Sequence, residues 1–117
     1  MLTQAIVQEL LTYDPETGKL YWNERKREWF KSEGDCKSWN TQNAGQEAFT
    51  TLKDNGYKSG RLLGRSCMAH RIAWLYVYGK LPKELEHING DRSDNRLENL
   101  RKTSMKHRNY FKGELFA

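Results

Sequence analysis

The chain has 117 residues, 37% of them hydrophobic and 12% aromatic, with 2 prolines. That is enough for one domain, or for a small core with a companion lobe; it excludes a multi-domain assembly, and its aromatic content is unlike a disordered tail. Twenty Lys and Arg against 15 Asp and Glu give a formal charge of +5, which suits a polyanionic partner without requiring one.

Ala5, Ile6, Leu10 and Leu11 recur at helical spacing, and Asp14-Pro15-Glu16-Thr17-Gly18 is a turn that stops this helix. Leu20-Tyr21-Trp22 follows as a short strand. Residues 23–43 mix charges with Trp29, Phe30 and Trp39 in no regular period, and read as a long loop. Strand propensity returns over residues 47–52, Asp54-Asn55-Gly56 is a turn signal, and residues 57–63 form the returning strand. Gly64-Arg65 turns the chain again into Ser66-Cys67-Met68. Residues 70–78 carry Ile72, Ala73, Leu75 and Tyr76 without a breaker, which predicts a buried helix ending at Gly79.

Beyond Pro82 the signals shorten. Residues 85–88 read as a strand, Asn89-Gly90-Asp91 as a turn and Asp94-Asn95 as the cap of a short helical turn. Residues 99–102 return as a strand, and Thr103 or Ser104 caps a last helix. The expected class is α+β.

No run approaches the roughly 18 apolar residues that span a bilayer, and the opening MLTQAIVQELL lacks the basic start of a secretory leader. A soluble cytoplasmic protein with no membrane partner is expected. Cys36 and Cys67 form no CxxC pair, so reduced thiols are expected rather than a bridge. Residues 89–100 lack the sixth-position glycine and final glutamate of a calcium loop.

Charge is unevenly distributed. Lys58, Arg61, Arg65 and Arg71 lie in a stretch without an acid, as do Arg101, Lys102, Lys106, Arg108 and Lys112. Between them Glu84, Glu86, Asp91, Asp94 and Glu98 gather around His87. Basic flanks about an acidic, histidine-bearing centre fit a site that holds a phosphate backbone and a cation, and equally fit two solvated faces.

The central segment is Glu86-His87-Ile88-Asn89-Gly90-Asp91, then Asp94-Asn95-Arg96-Leu97-Glu98-Asn99-Leu100. It resembles the HNH group of His-Me finger endonucleases, particularly the small phage-encoded and intron-encoded ones. The resemblance extends to Tyr13-Asp14-Pro15-Glu16-Thr17-Gly18-Lys19-Leu20-Tyr21-Trp22 and to Ala69-His70-Arg71-Ile72-Ala73-Trp74-Leu75-Tyr76, leaving about residues 23–45 and the last few uncovered. It implies an N-terminal helix and small antiparallel sheet over residues 1–79, contacting DNA, and a ββα-metal nuclease motif over residues 80–117.

The resemblance also implies roles. His87 is the general base of phosphodiester hydrolysis, and Glu86 a ligand of one Mg²⁺ or Mn²⁺, although the family more often has Asp there; the alternative for Glu86 is a solvent-facing strand residue. Asn99 braces the loop that carries the base, or is a simple capping asparagine. The second ligand is His107 counted from Thr103, with Asn109 the alternative, because the spacing after Leu100 is one residue short. His70 and Arg71 begin the preceding helix, either beside a DNA phosphate or packed under the nuclease motif. Contacts to double-stranded DNA are expected from Lys58, Arg61, Arg65, Arg71, Arg96, Arg101, Lys106 and Arg108. The expected activity is a metal-dependent, phage or homing-type DNA endonuclease; the alternative is a DNA-binding module on a catalytically weakened fold of the same kind.

Overall fold

A computed structural model describes residues 2–103. Thr3 starts α1 (Gln4–Leu10), its Oγ1 accepting the Ile6 N–H, and the helix buries Val7 and Leu10. There is no loop after it. Leu11 still donates its N–H to the Val7 carbonyl while its own backbone is already extended, so α1 runs directly into β1 (Leu11–Asp14). Leu11 therefore opens a strand instead of closing the helix, because adjacent leucines fit either period and both are fully buried. The turn at residues 14–18 joins β1 to β2 (Lys19–Trp22) as a hairpin, with Leu11 opposite Trp22 and Asp14 opposite Lys19.

The long loop expected over residues 23–43 is largely helical: a 3₁₀ turn at Arg27–Trp29 precedes α2 (Glu33–Asn43). Ser32 caps α2 by accepting the Asp35 N–H, and Glu33 and Asp35 stand in the first turn, where carboxylates favour the helix dipole. The inward stripe is Cys36, Trp39, Asn40 and Asn43, at helical spacing but half polar, so it escapes a hydrophobic period.

The single strand expected at residues 47–52 is split between two sheets. β3 (Glu47–Ala48) pairs with β2, whereas β4 (Thr51–Leu52) pairs with β5 (Lys58–Leu62). Between them Phe49 sits at φ 60°, buried over Gly60, where a Cβ would lie 3.0 Å from the Phe49 ring. The sequence signal records extended preference and not the break. β5 turns into β6 (Arg65–Met68), completing the β4-β5-β6 sheet beside β1-β2-β3.

α3 (Ala69–Tyr78) ends at Gly79 and buries Ala69, His70, Ile72, Ala73 and Leu75. It packs on α1; the Gln4 and Gln8 amides donate to the Tyr76 carbonyl at 3.1 and 2.9 Å. β7 (Leu85–His87) and β8 (Leu100–Lys102) form the third sheet, with His87 opposite Leu100. Leu100 joins the core of Val7, Leu10, Leu62, Ile72 and Leu75, which fixes the base of this hairpin. The architecture is α+β. The last expected helix, with Lys106, His107, Arg108 and Asn109, lies outside the described residues. Among the described residues no helix is long and apolar enough to cross a membrane.

Candidate functional site

The β7–β8 hairpin carries a long loop whose polar sequence is organised from within. Asn99 is 4% exposed and accepts the Asn89 N–H at 2.9 Å, while its amide donates to Asn89 Oδ1 at 3.0 Å and to the Asp94 carbonyl at 2.8 Å. Asn89 donates to the Asp94 carboxylate at 2.9 Å. Arg96 donates to the same carboxylate through Nε and Nη2, both at 2.9 Å, and through Nη1 to Glu98 at 2.8 Å. These donors, Arg96 first, hold the Asp94 carboxyl down at about 2. An asparagine with donors and an acceptor on one amide can brace three backbone or side-chain groups at once, which an apolar residue cannot.

His87 ends β7, at the mouth of this loop. Its Nε2 lies 2.7 Å from Asn95 Oδ1, and Asn95 is 2% exposed. The His87 ring also packs on His70, with centroids 4.9 Å apart, and Tyr57 stacks on His70 at 5.1 Å and 17°. His70 is 6% exposed with its Nδ1 buried and unpaired. Burial, then the neighbouring His87 and Arg71, depress the His70 imidazole to about 4. It is a neutral ring packed beneath His87. Arg71 beside it donates to the Pro82 carbonyl at 2.8 Å.

Tyr57, Leu85, Glu86, His87, Gly90 and Arg92 line an open cleft of about 270 Å³. Arg92 stacks over Tyr57, its guanidinium carbon 5.0 Å from the ring centroid, and donates to the Asn55 carbonyl at 3.0 Å. Glu86 stands opposite Arg101 and accepts its Nε at 2.7 Å. Among the described residues no three His, Cys, Asp or Glu side chains converge as a metal cage. The cleft thus brings together an oriented imidazole, a carboxylate, an aromatic wall and the Arg92 guanidinium, with Arg101 paired to the carboxylate.

Three more of the expected DNA contacts lie on the β5–β6 hairpin, and Lys106 and Arg108 lie outside the described residues. Lys58 is 4.0 Å from the Glu47 carboxylate, Arg61 donates to the Gly64 carbonyl at 2.7 Å, and Arg65 is exposed. Arg96 and Arg101 are engaged with acids in the loop and hairpin. Sequence reasoning missed Asn95, Tyr57 and Arg92. Asn95 reads as a helix cap, but the 3₁₀ turn Leu97–Asn99 begins after Arg96, and the Asn95 side chain meets His87 instead. Tyr57 and Arg92 are 35 residues apart, with no local signal to join them. Both cysteines are free thiols, Cys36 buried and Cys67 partly so.

Residues 67–110 match the family model described as HNH endonuclease. A solved structure of DNA binding and cleavage by the HNH homing endonuclease I-HmuI aligns with a TM-score of 0.54 at 18% identity, covering 92% of this chain and 55% of that one. The chain therefore spans about half the length of that protein, and the likeness is one of fold. No curated protein matches the chain.

Proposed function

We propose, from the premise that residues 67–110 belong to the HNH endonuclease family, that the protein hydrolyses phosphodiester bonds of double-stranded DNA with His87 as general base. The observation that carries this reading is the His87 imidazole, held at 2.7 Å by buried Asn95 and opening on a cleft that also holds Glu86. With the Nε2 proton donated to Asn95 Oδ1, Nδ1 is the nitrogen left to take a proton from an attacking water. The water's oxygen then bonds to phosphorus as the bond to the 3′ oxygen breaks, and that oxygen takes a proton from solvent, leaving a 5′-phosphate and a 3′-hydroxyl. Arg92 at the cleft rim supports the reading by offering a cation to the phosphate.

Glu86 supplies a hard anionic oxygen of the type Mg²⁺ or Mn²⁺ accepts, and imidazole is an accepted companion donor, so the donor set fits one divalent ion held by Glu86 and His107, or Asn109 in its place. Such an ion, when bound, neutralises charge developing on the phosphoryl and leaving oxygens. Lys58, Arg61 and Arg65 lie along the hairpin that would meet the duplex backbone. Asn99 holds the loop that presents His87. A phage or homing role acting in the cytoplasm follows the family resemblance.

A second reading, a DNA-binding module with weakened cleavage, draws on Arg101, whose guanidinium already occupies a Glu86 oxygen. Plasmid relaxation with and without Mg²⁺, comparing wild type with His87→Ala, decides between them. Metal-dependent nicking lost in a folded His87→Ala protein is the expected result. Intact plasmid in Mg²⁺ and Mn²⁺, with DNA binding retained, overturns the nuclease reading in favour of the second.

A further inference from the structure

We propose that the β1–β2 hairpin positions the general-base histidine, Tyr13 and Gly18 seating the backbone at Asn95 so that the Asn95 side chain fixes the His87 ring. The inference rests on the reading of His87 as the base, and its evidence is independent of it.

Three contacts join this hairpin to three consecutive loop residues. The Tyr13 hydroxyl, on a side chain 5% exposed, donates to the Asn95 carbonyl at 2.5 Å across 82 residues of sequence. The Leu97 N–H donates to the Pro15 carbonyl at 3.0 Å. Gly18, at φ 81°, lies so close that a Cβ would fall 2.5 Å from the Arg96 nitrogen and from the Asn95 carbonyl carbon. Backbone is laid on backbone there, and only glycine meets both the conformation and the approach.

Asn95 then works at both ends. Its carbonyl is held by Tyr13, and its side-chain oxygen meets His87 Nε2 at 2.7 Å. Tyr13 itself is fixed by β1, by the core and by the Tyr76 ring, 6.0 Å away edge-on. A rotation at Asn95 would release the ring, because an imidazole held through one nitrogen turns with its partner. The YDPETG segment thus gains a role that its distance from the cleft in sequence conceals: it is a rigid seat for the loop, and Tyr13 and Gly18 are positioning residues that touch neither substrate nor the reacting atoms.

The test uses the full chain and two readouts. Tyr13→Phe keeps the buried ring and removes the hydroxyl alone. The expected kinetic result is a fall in kcat of about tenfold with KM for duplex DNA changed less than about twofold, since positioning and not binding is lost. The second readout is the ¹⁵N spectrum of the histidine imidazoles in metal-free protein, with His87 assigned by its loss in His87→Gln. Wild type is expected to show one tautomer with the proton on Nε2, and Tyr13→Phe a mixture. Gly18→Ala should move both readouts in the same direction and further, and if it does not fold Tyr13→Phe alone decides. Wild-type kcat in Tyr13→Phe overturns the proposal. So does an unchanged His87 spectrum, even with reduced kcat, because the hydroxyl would then act elsewhere. A wild-type protein that cuts no DNA removes the general-base reading, while the spectra still decide whether Tyr13 governs His87.

Discussion

His70 couples the packing beneath the cleft to pH. Buried between Tyr57 and His87 with Arg71 next in sequence, it is depressed to about 4, while an unfolded histidine titrates at about 6.5. The contribution is complete above about pH 6.5 and is lost as the pH falls towards the native value, where unfolded chains take up a proton the native ring refuses, for about 3 kcal/mol at most. His70→Phe keeps a ring against Tyr57 and removes both the titration and the unpaired Nδ1. Urea midpoints should therefore fall less between about pH 7 and 4.5 in His70→Phe than in wild type. Parallel slopes would show that His70 is not the titrating group. Asn99 makes a second prediction at this scale. Asn99→Ala strands the Asn89 N–H and the Asp94 carbonyl, and should cost about 2–4 kcal/mol in urea unfolding. A loss under about 1 kcal/mol would mean that the loop holds its shape without the amide. His87 and Asn99 can be singled out in the sequence because their motif is local. Asn95 cannot, since what distinguishes it is a partner brought by the fold.

At the scale of elements, α2 contrasts with α1 and α3. It buries only Cys36, and it is attached through Asn40, whose side chain accepts the Arg25 N–H at 2.9 Å and donates to the Arg25 carbonyl at 3.0 Å. Arg25 lies over Trp39, with 4.0 Å to the centroid, and Trp39 meets Trp22 edge-on at 5.7 Å. Burial lowers the Arg25 pKa. Attachment by one arginine and a few rings predicts that α2 opens on its own. Trp39→Ala should speed amide exchange over residues 24–45 and leave α1 and α3 protected, read by exchange mass spectrometry. Equal acceleration in α3 would make α2 part of the main cooperative unit. This element also marks where sequence reading stops. α3 is legible because its inward side is apolar, whereas α2 turns two asparagines inward, and its signals are a cap at Ser32 and acids in the first turn. The break at Phe49 is hidden for a similar reason: extended residues lie on both sides, and the strained φ depends on Gly60 in another strand.

Across the described residues, two pairs of arginines differ in a way that net charge does not show. Arg96 and Arg101 are neutralised internally by Asp94, Glu98 and Glu86, and stabilise the loop and hairpin around His87. Arg61 and Arg65 stand exposed on the β5–β6 hairpin, where Arg61 donates to the Gly64 carbonyl. If the protein binds duplex DNA as proposed, phosphate contacts made by the second group release counterions, so each one lost lowers the salt slope of binding by about 0.9. The double variant Arg61→Gln, Arg65→Gln should therefore weaken binding and reduce the slope of log K against log salt by about 2, measured by fluorescence anisotropy between about 50 and 200 mM KCl. Arg96→Gln should act on stability instead. It frees Asp94 from its main donor, so it should lower stability and change the slope by less than about 1. A full change of slope for Arg96→Gln, with none for the double variant, would move the duplex from the β5–β6 hairpin to the rim of the His87 loop. The internal pairs would then have to open on binding, and affinity would carry the cost of breaking them.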